Sequence, residues 1–134
     1  MAFWLLKTEP SEFSYSDLES GKRAVWDGVR NNTALIHMRA MRKGDRALVY
    51  HSGGEKSLVG LAEVIADPYP DPKAGDAKIV VVEIAPAGRL ARPVPLGAIK
   101  KEKEFASFEL VRFSRLSVMP VPALLWKKLL AMGK

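Results

Sequence analysis

Two histidines and two serines are the first side chains in this sequence to consider as catalysts or ligands. His37 has no glutamate or second histidine at a metal-binding spacing, so we expect no metal site. His51 could act as a base toward Ser52 or Ser117, but neither serine stands in a nucleophile-elbow pattern. We therefore favour a polar strand end for His51, and we predict no catalytic residue and no cofactor.

Lys7, Thr8 and Glu9 are consecutive in an extended segment, which places Lys7 and Glu9 on one face and Thr8 on the other. A lysine beside a carboxylate can be tuned as a general base, although such a pair is more often an ion pair at a strand end. The turn at 52–54 (SGG) lacks the glycine and lysine spacing of a phosphate loop.

Trp26 and Tyr50 each end a predicted strand and precede polar turn residues. Strand ends at the mouth of a barrel are places where a pocket can open, and aromatic faces there suit a flat ring. Arg30, Asn31 and Asn32 add hydrogen-bond donors and a helix N-terminus, which favours a phosphate. On residue chemistry alone, a ligand pocket and a place in the core or its rim are equally good interpretations of the two aromatic residues.

Composition narrows the class of protein. The 134 residues predict one domain over 1–134, and the net charge of +6 favours polyanions, with nucleic acid ahead of anionic membranes. The absence of cysteine excludes disulfides and thiol chemistry and fits a reducing compartment. The N-terminal segment MAFWLLKTEP has no basic run and too short an apolar stretch for a signal peptide or a membrane span. We expect a cytoplasmic protein.

Periodicity predicts short strands with helices inserted between them. The predicted strands are 2–8, 23–26, 46–51, 58–66, 78–85 and 113–119. The predicted helices are a short one capped by Ser14 and ending at Gly21, then 31–41, 95–101, 104–111 and 122–132. Three prolines make 67–76 a stiff loop. This order predicts an α+β fold in which a mixed, strongly curved sheet closes into a small barrel flanked by short helices.

Several segments, taken together and in order, resemble the EVE domain family of the PUA-like superfamily. They are 4–10 (WLLKTEP), 26–31 (WDGVRN), 41–45 (MRKGD), 50–52 (YHS), 60–67 (GLAEVIAD) and 115–118 (RLSV). The resemblance implies a PUA-like β-barrel related to the YTH domain, which reads N-methylated adenine in RNA. It also implies that the protein reads modified cytosine in DNA, or modified bases more broadly, by base flipping.

The resemblance also assigns roles to individual residues. The implied base pocket consists of Trp26, Asn31, Tyr50, His51, Ser52 and Ser117, with Trp26 as a wall. The implied contacts to phosphate or backbone come from Lys7, Arg30 and Arg115. A YTH-type aromatic cage has a further aromatic residue after its hairpin, and the only candidate in the proline-rich loop is Tyr69.

Two other functions stay open at this point. One is a PUA-like module that binds RNA generally through a basic surface. The other is a small amidohydrolase for modified nucleosides, since some ASCH proteins use a Lys-Thr-Glu set and Lys7-Thr8-Glu9 invites that comparison. The expected partner is DNA or RNA carrying a modified base. A domain that only binds a modified base has no activity that would act on the nucleic acid, so a nuclease partner is a further possibility.

Overall fold

Seven strands form one strongly curled sheet in the computed structural model, which describes residues 1–134. They are β1 Phe3–Thr8, β2 Ala24–Trp26, β3 Arg46–His51, β4 Ser57–Val64, β5 Tyr69–Pro70, β6 Val80–Pro95 and β7 Val118–Pro120. Their order is β2-β6-β4-β3-β1-β7, and β5 pairs with β6 outside this path. Because the end strands β2 and β7 do not pair with each other, the sheet is a half-barrel.

Five short α-helices accompany the sheet. They are α1 Tyr15–Gly21, α2 Asn32–Ala40, α3 Leu96–Lys100, α4 Glu109–Arg112 and α5 Ala123–Met132, with a 3₁₀ turn at Lys103–Phe105. None of these helices is long and apolar enough to cross a membrane. The combination of a curled mixed sheet and short helices confirms the predicted α+β, PUA-like fold class.

The parallel pair β1 and β3 lies between β7 and β4 in the sheet, and the other strand pairs are antiparallel. Parallel strands need a crossover of a dozen or more residues, and here it contains α1, β2 and α2. Leu5 lies opposite Leu48, and both belong to a cluster of 33 buried apolar residues. Burying one such side chain stabilises the fold by roughly 1.5–3 kcal/mol. The next polar pair along these strands, Lys7 opposite Tyr50, is therefore held on a rigid support.

Local hydrogen bonds explain where the first two helices begin. The Ser14 hydroxyl accepts from the Asp17 amide at 3.1 Å, and the Asp17 carboxylate accepts from the Ser14 amide at 2.8 Å. This is the predicted capping box of α1. The side-chain oxygen of Asn31 accepts from the Ala34 amide at 3.0 Å and caps α2.

The structure corrects three element boundaries. Strand β6 continues to Pro95 instead of ending at residue 85. The prediction ended too early because the second half of the strand is largely exposed and carries no apolar pattern. Two register shifts against β4 let that half follow the curl of the sheet. The strand predicted at 113–119 is only β7, since the residues before it turn away with Phe113 47% exposed. The helix predicted at 104–111 is the 3₁₀ turn plus α4, separated by Phe108 in extended backbone.

Candidate functional site

A cavity of about 480 Å³ opens where β1 and β2 end and α2 begins. We call it the tryptophan cavity. Among its lining residues are Lys7, Phe13, Trp26, Arg30, Asn31 and Ser117. The backbone fixes one side of it, because the Lys7 amide donates to the Ser117 carbonyl oxygen at 2.9 Å.

Two aromatic rings form the apolar part of this cavity. Trp26 is 8% exposed, so its indole belongs to the core and also lines the cavity. Phe13 meets it edge-on, with ring centroids 6.0 Å apart and an interplanar angle of 86°. Sequence reasoning missed Phe13, because the segment before α1 has no periodicity to read. Tyr69 does not line the cavity, and its hydroxyl donates to the Glu83 carboxylate at 2.8 Å.

Charged side chains form the polar part of the tryptophan cavity. Glu9, Glu12 and Asp27 bring three carboxylates, against the two cations of Lys7 and Arg30. Ionised carboxylates only accept hydrogen bonds, so this rim suits a ligand that presents N–H groups and disfavours an anion. The sequence indicated Glu9 only as an ion-pair partner of Lys7 or as part of a Lys-Thr-Glu catalytic set, not as a binding residue, and it gave no sign of Glu12. The same-face spacing of Lys7 and Glu9 was the one signal available.

Lys7 connects the tryptophan cavity with a smaller one of about 250 Å³. Its ammonium group donates to the Ser114 carbonyl oxygen at 3.0 Å and lies 5.7 Å from the centroid of the Tyr50 ring. Burial lowers the pKa of Lys7, because desolvation disfavours the charged amine. Tyr50 and Ser52, both predicted as base-pocket residues, line this second cavity and not the first.

His51 lies outside both cavities. Its Nε2 accepts from the Tyr15 amide at 3.0 Å, and its Nδ1 lies 2.8 Å from the Glu55 carboxylate. Both ring nitrogens of this buried histidine therefore have partners, and neither Ser52 nor Ser117 is one of them. The structure places His51 under α1, where it supports the helix that follows the Phe13 segment.

The predicted site residues thus divide into separate groups. Trp26, Asn31, Ser117 and Arg30 lie together in the tryptophan cavity, and Lys7 joins them to Tyr50 and Ser52. Arg115 lines a third cavity, of about 460 Å³, which shares Asn31 with the first.

The three groups that an amidohydrolase would need already have hydrogen-bond partners within the protein. Lys7, Thr8 and Glu9 all line the tryptophan cavity. However, the Thr8 hydroxyl donates to the Phe13 carbonyl oxygen at 2.7 Å, and the Glu9 carboxylate accepts from the Ser11 amide at 3.3 Å. No three acidic or histidine side chains are placed to hold a metal ion.

A curled mixed sheet with a polar cavity beside the ends of its first strands fits the PUA-like architecture that the resemblance implies. The EVE domain model matches residues 2–132, and the chain belongs to that family.

Known relatives extend the comparison. Mouse thymocyte nuclear protein 1 is 30% identical over 89% of this chain and 68% of its own length. The human protein is 38% identical over 51% of this chain, which is 36% of its own length. The NMR structure of Rpa0253 from Rhodopseudomonas palustris is 45% identical with a TM-score of 0.94, covering 99% of this chain and 93% of the other. The crystal structure of human THYN1 in complex with 5-methylcytosine-containing DNA is 26% identical with a TM-score of 0.90, covering 100% and 98%.

Proposed function

We propose that this protein binds DNA and reads a modified cytosine that is flipped into the tryptophan cavity. The observation that carries the proposal is the cavity itself, which is lined by two aromatic rings and three carboxylates. The proposal is also supported by a relative of the same fold, human THYN1, which was crystallised with 5-methylcytosine-containing DNA.

Stacking energy makes the aromatic wall the central element. Flipping a base out of a duplex costs a few kcal/mol. Stacking on an aromatic side chain returns about 1–3 kcal/mol per base. Trp26 offers the largest such face, and Phe13, perpendicular to it, leaves an apolar corner. An added methyl group on the base would gain further contact against such a corner.

The carboxylates favour cytosine over thymine. Cytosine presents an exocyclic amino group, and Glu or Asp is the side chain that accepts from it. Thymine presents a carbonyl oxygen at that position, which a carboxylate repels. The three acids of the cavity, Glu9, Glu12 and Asp27, provide such acceptors beside the aromatic wall. The free amide N–H groups of Asn31 can serve the acceptor atoms of the same ring, since its oxygen already caps α2.

Replacing Trp26 tests this function. We expect Trp26→Phe to keep part of the preference for 5-methylcytosine over cytosine. We expect Trp26→Ala to abolish it, a loss of about 1–3 kcal/mol of stacking. Weak, salt-sensitive binding to any strand should remain in both variants. The measurement is fluorescence anisotropy with short DNA and RNA oligonucleotides that carry cytosine, 5-methylcytosine or thymine at one position.

A second tryptophan provides the control. Trp126 on α5 is also buried, but it stacks on Phe3 with centroids 4.5 Å apart and does not line the tryptophan cavity. Trp126→Phe should therefore lower the melting temperature without altering base preference. Thermal melts of all variants separate a folding defect from a binding defect. A Trp26→Phe protein that is folded and discriminates as well as the wild type would refute the stacking role. Equal binding of all three bases by the wild type would refute base reading itself.

A further inference from the structure

The smaller cavity on the other side of Lys7 has lysines as its only charged lining residues. We call it the lysine cavity; its charged lining residues are Lys7, Lys56 and Lys100, and no Asp or Glu lines it. The tryptophan cavity, in contrast, has more carboxylates than cations. Two adjoining cavities that share one lysine therefore have opposite chemical preferences.

The fold brings the three lysines together from distant parts of the chain. Lys7 lies on β1, Lys56 on the loop between β3 and β4, and Lys100 ends α3. The Leu96 amide at the start of α3 donates to the Lys56 carbonyl oxygen at 2.8 Å, which ties that loop to the helix. Lys56 itself has φ of 50°, a left-handed conformation that is uncommon for a residue other than glycine. The loop thus keeps a locally unfavourable backbone at the edge of the cavity.

The lysines of the lysine cavity form no ion pairs within the protein. Arg23, Arg89 and Lys128 form ion pairs with carboxylates elsewhere on the surface. None of the three cavity lysines has a carboxylate within 4.0 Å. Lys7 is partly desolvated and held by the Ser114 carbonyl oxygen, so its ammonium group is already positioned. Several lysines around one cavity, without carboxylates to neutralise them, favour a bound anion.

Two hydroxyl groups complete the arrangement. Ser52 and Ser114 line the lysine cavity, and neither hydroxyl has a hydrogen-bond partner inside the protein. Hydroxyl and ammonium donors around an anion are typical of contacts to a nucleic-acid phosphate.

We propose that the lysine cavity binds one backbone phosphate of the DNA strand, next to the nucleotide whose base enters the tryptophan cavity. This inference rests on the proposed function, because Lys7 lines both cavities and would lie between base and phosphate. The charges of the two cavities assign the two parts of the nucleotide: the carboxylates of the tryptophan cavity repel a phosphate, and the lysine cavity attracts one. Phosphate contacts then set the register of the strand, while the base contacts read its identity.

Neutralising one lysine tests the site, and its sequence neighbour gives a matched control. Lys100→Gln removes a charge from the lysine cavity, whereas Lys101→Gln removes the same charge from an exposed position outside it. We expect Lys100→Gln to weaken binding of a short 5-methylcytosine duplex several-fold. It should also reduce the slope of log K against log salt concentration by about one unit. Lys101→Gln should change both quantities much less.

Uncharged linkages in the DNA backbone identify which phosphate the lysine cavity binds. Duplexes in which a single methylphosphonate replaces one linkage near 5-methylcytosine are titrated with the wild type and with Lys100→Gln. We expect one linkage at which the wild type loses affinity and Lys100→Gln loses none further. Additive losses at every linkage would overturn the proposal. Competition by inorganic phosphate at constant ionic strength, without dependence on any linkage, would assign the cavity to a free anion and overturn it as well.

The same titrations keep the two hypotheses apart. Coupling between Lys100 and one linkage in a protein that binds cytosine and 5-methylcytosine equally would retain the phosphate site and reject base reading. Base preference without such coupling would do the reverse. Because Lys100 is exposed, its replacement does not endanger the fold.

Discussion

Asp45→Ala is expected to destabilise the protein by about 3 kcal/mol, since it leaves one buried and two partly buried N–H donors without their acceptor. Asp45 is 5% exposed. Its carboxylate accepts from the Trp4 indole N–H at 2.9 Å, the Arg42 amide at 2.9 Å and the Ala2 amide at 3.0 Å. These bonds join the start of β1 to the turn before β3, so their loss should loosen both of these strands. Urea denaturation near neutral pH measures the effect.

The same carboxylate predicts how stability depends on pH. Burial alone would raise the pKa of Asp45, but the hydrogen bonds from Ala2, Trp4 and Arg42 outweigh it and hold the pKa below its ordinary value. A folded-state pKa below the unfolded one stabilises the protein above the unfolded value, and the contribution disappears as the pH falls through the folded one. Asp45→Asn should therefore cost most near neutral pH and much less in acid.

The control for Asp45 is Asp67, which accepts one hydrogen bond, from the Lys43 amide at 2.8 Å, and is exposed. Asp67→Asn should change the free energy of unfolding by less than about 1 kcal/mol at any pH. If Asp45→Asn and Asp67→Asn have equal effects, the buried carboxylate does not stabilise the junction of β1 and β3.

The sequence predicts an element well when that element buries one face, because its apolar residues then recur at the spacing of a strand or a helix. The strands β1, β3 and β4 and the helices α2 and α5 carry apolar residues at the spacing of their own geometry, and all were predicted. The second half of β6 carries none, because it is largely exposed and bends at Gly88, where φ is 117°. Its place in the sheet comes from pairing with β4. This pairing is a tertiary contact, so it produces no periodic pattern of apolar residues in the sequence.

The site was predictable where it lies at the ends of regular elements. Trp26 and Asn31 end β2 and cap α2, so turn chemistry marked both of them. Phe13 and Glu12 come from an irregular segment, and only the packing of that segment against Trp26 places them. Tyr50 and Ser52 lie at the end of a strand, as Trp26 does, and the sequence therefore placed all three in one pocket. However, β1 pairs with β3, and this puts Lys7 between these two residues and the tryptophan cavity. One predicted pocket is therefore two cavities of different charge.

Gly60→Ala is the second change with a large expected effect, because β4 passes close to the ring of Tyr15. A methyl group at residue 60 would lie 2.5 Å from two ring carbons of Tyr15. That ring is fully buried, and its hydroxyl donates to the Leu61 carbonyl oxygen at 2.7 Å and accepts from the Gly88 amide at 3.1 Å. A ring fixed at its far end has no room to retreat. We expect Gly60→Ala to destabilise the protein by about 1–3 kcal/mol or more.

The matched control is Gly54→Ala, since an added methyl group there meets no atom within 4 Å. Its melting temperature should stay close to that of the wild type. In a Tyr15→Ala background, where the ring is gone, adding Gly60→Ala should cost little, and the double-mutant cycle should report strong coupling. Additive effects of the two changes would mean that Gly60 is required for some other reason.

The clash at Gly60 should also reach the tryptophan cavity. Tyr15 begins α1, and the hydrogen bond that its amide donates to His51 holds the end of the segment that carries Phe13. If the ring of Tyr15 is displaced, Phe13 should move relative to Trp26, because Phe13 is only two residues away from Tyr15 in the chain. We therefore expect a folded Gly60→Ala protein to discriminate 5-methylcytosine from cytosine less well, with an unchanged salt slope because the lysine cavity keeps its charges. An unchanged base preference in that protein would show that Phe13 does not shape the cavity in which the base is read.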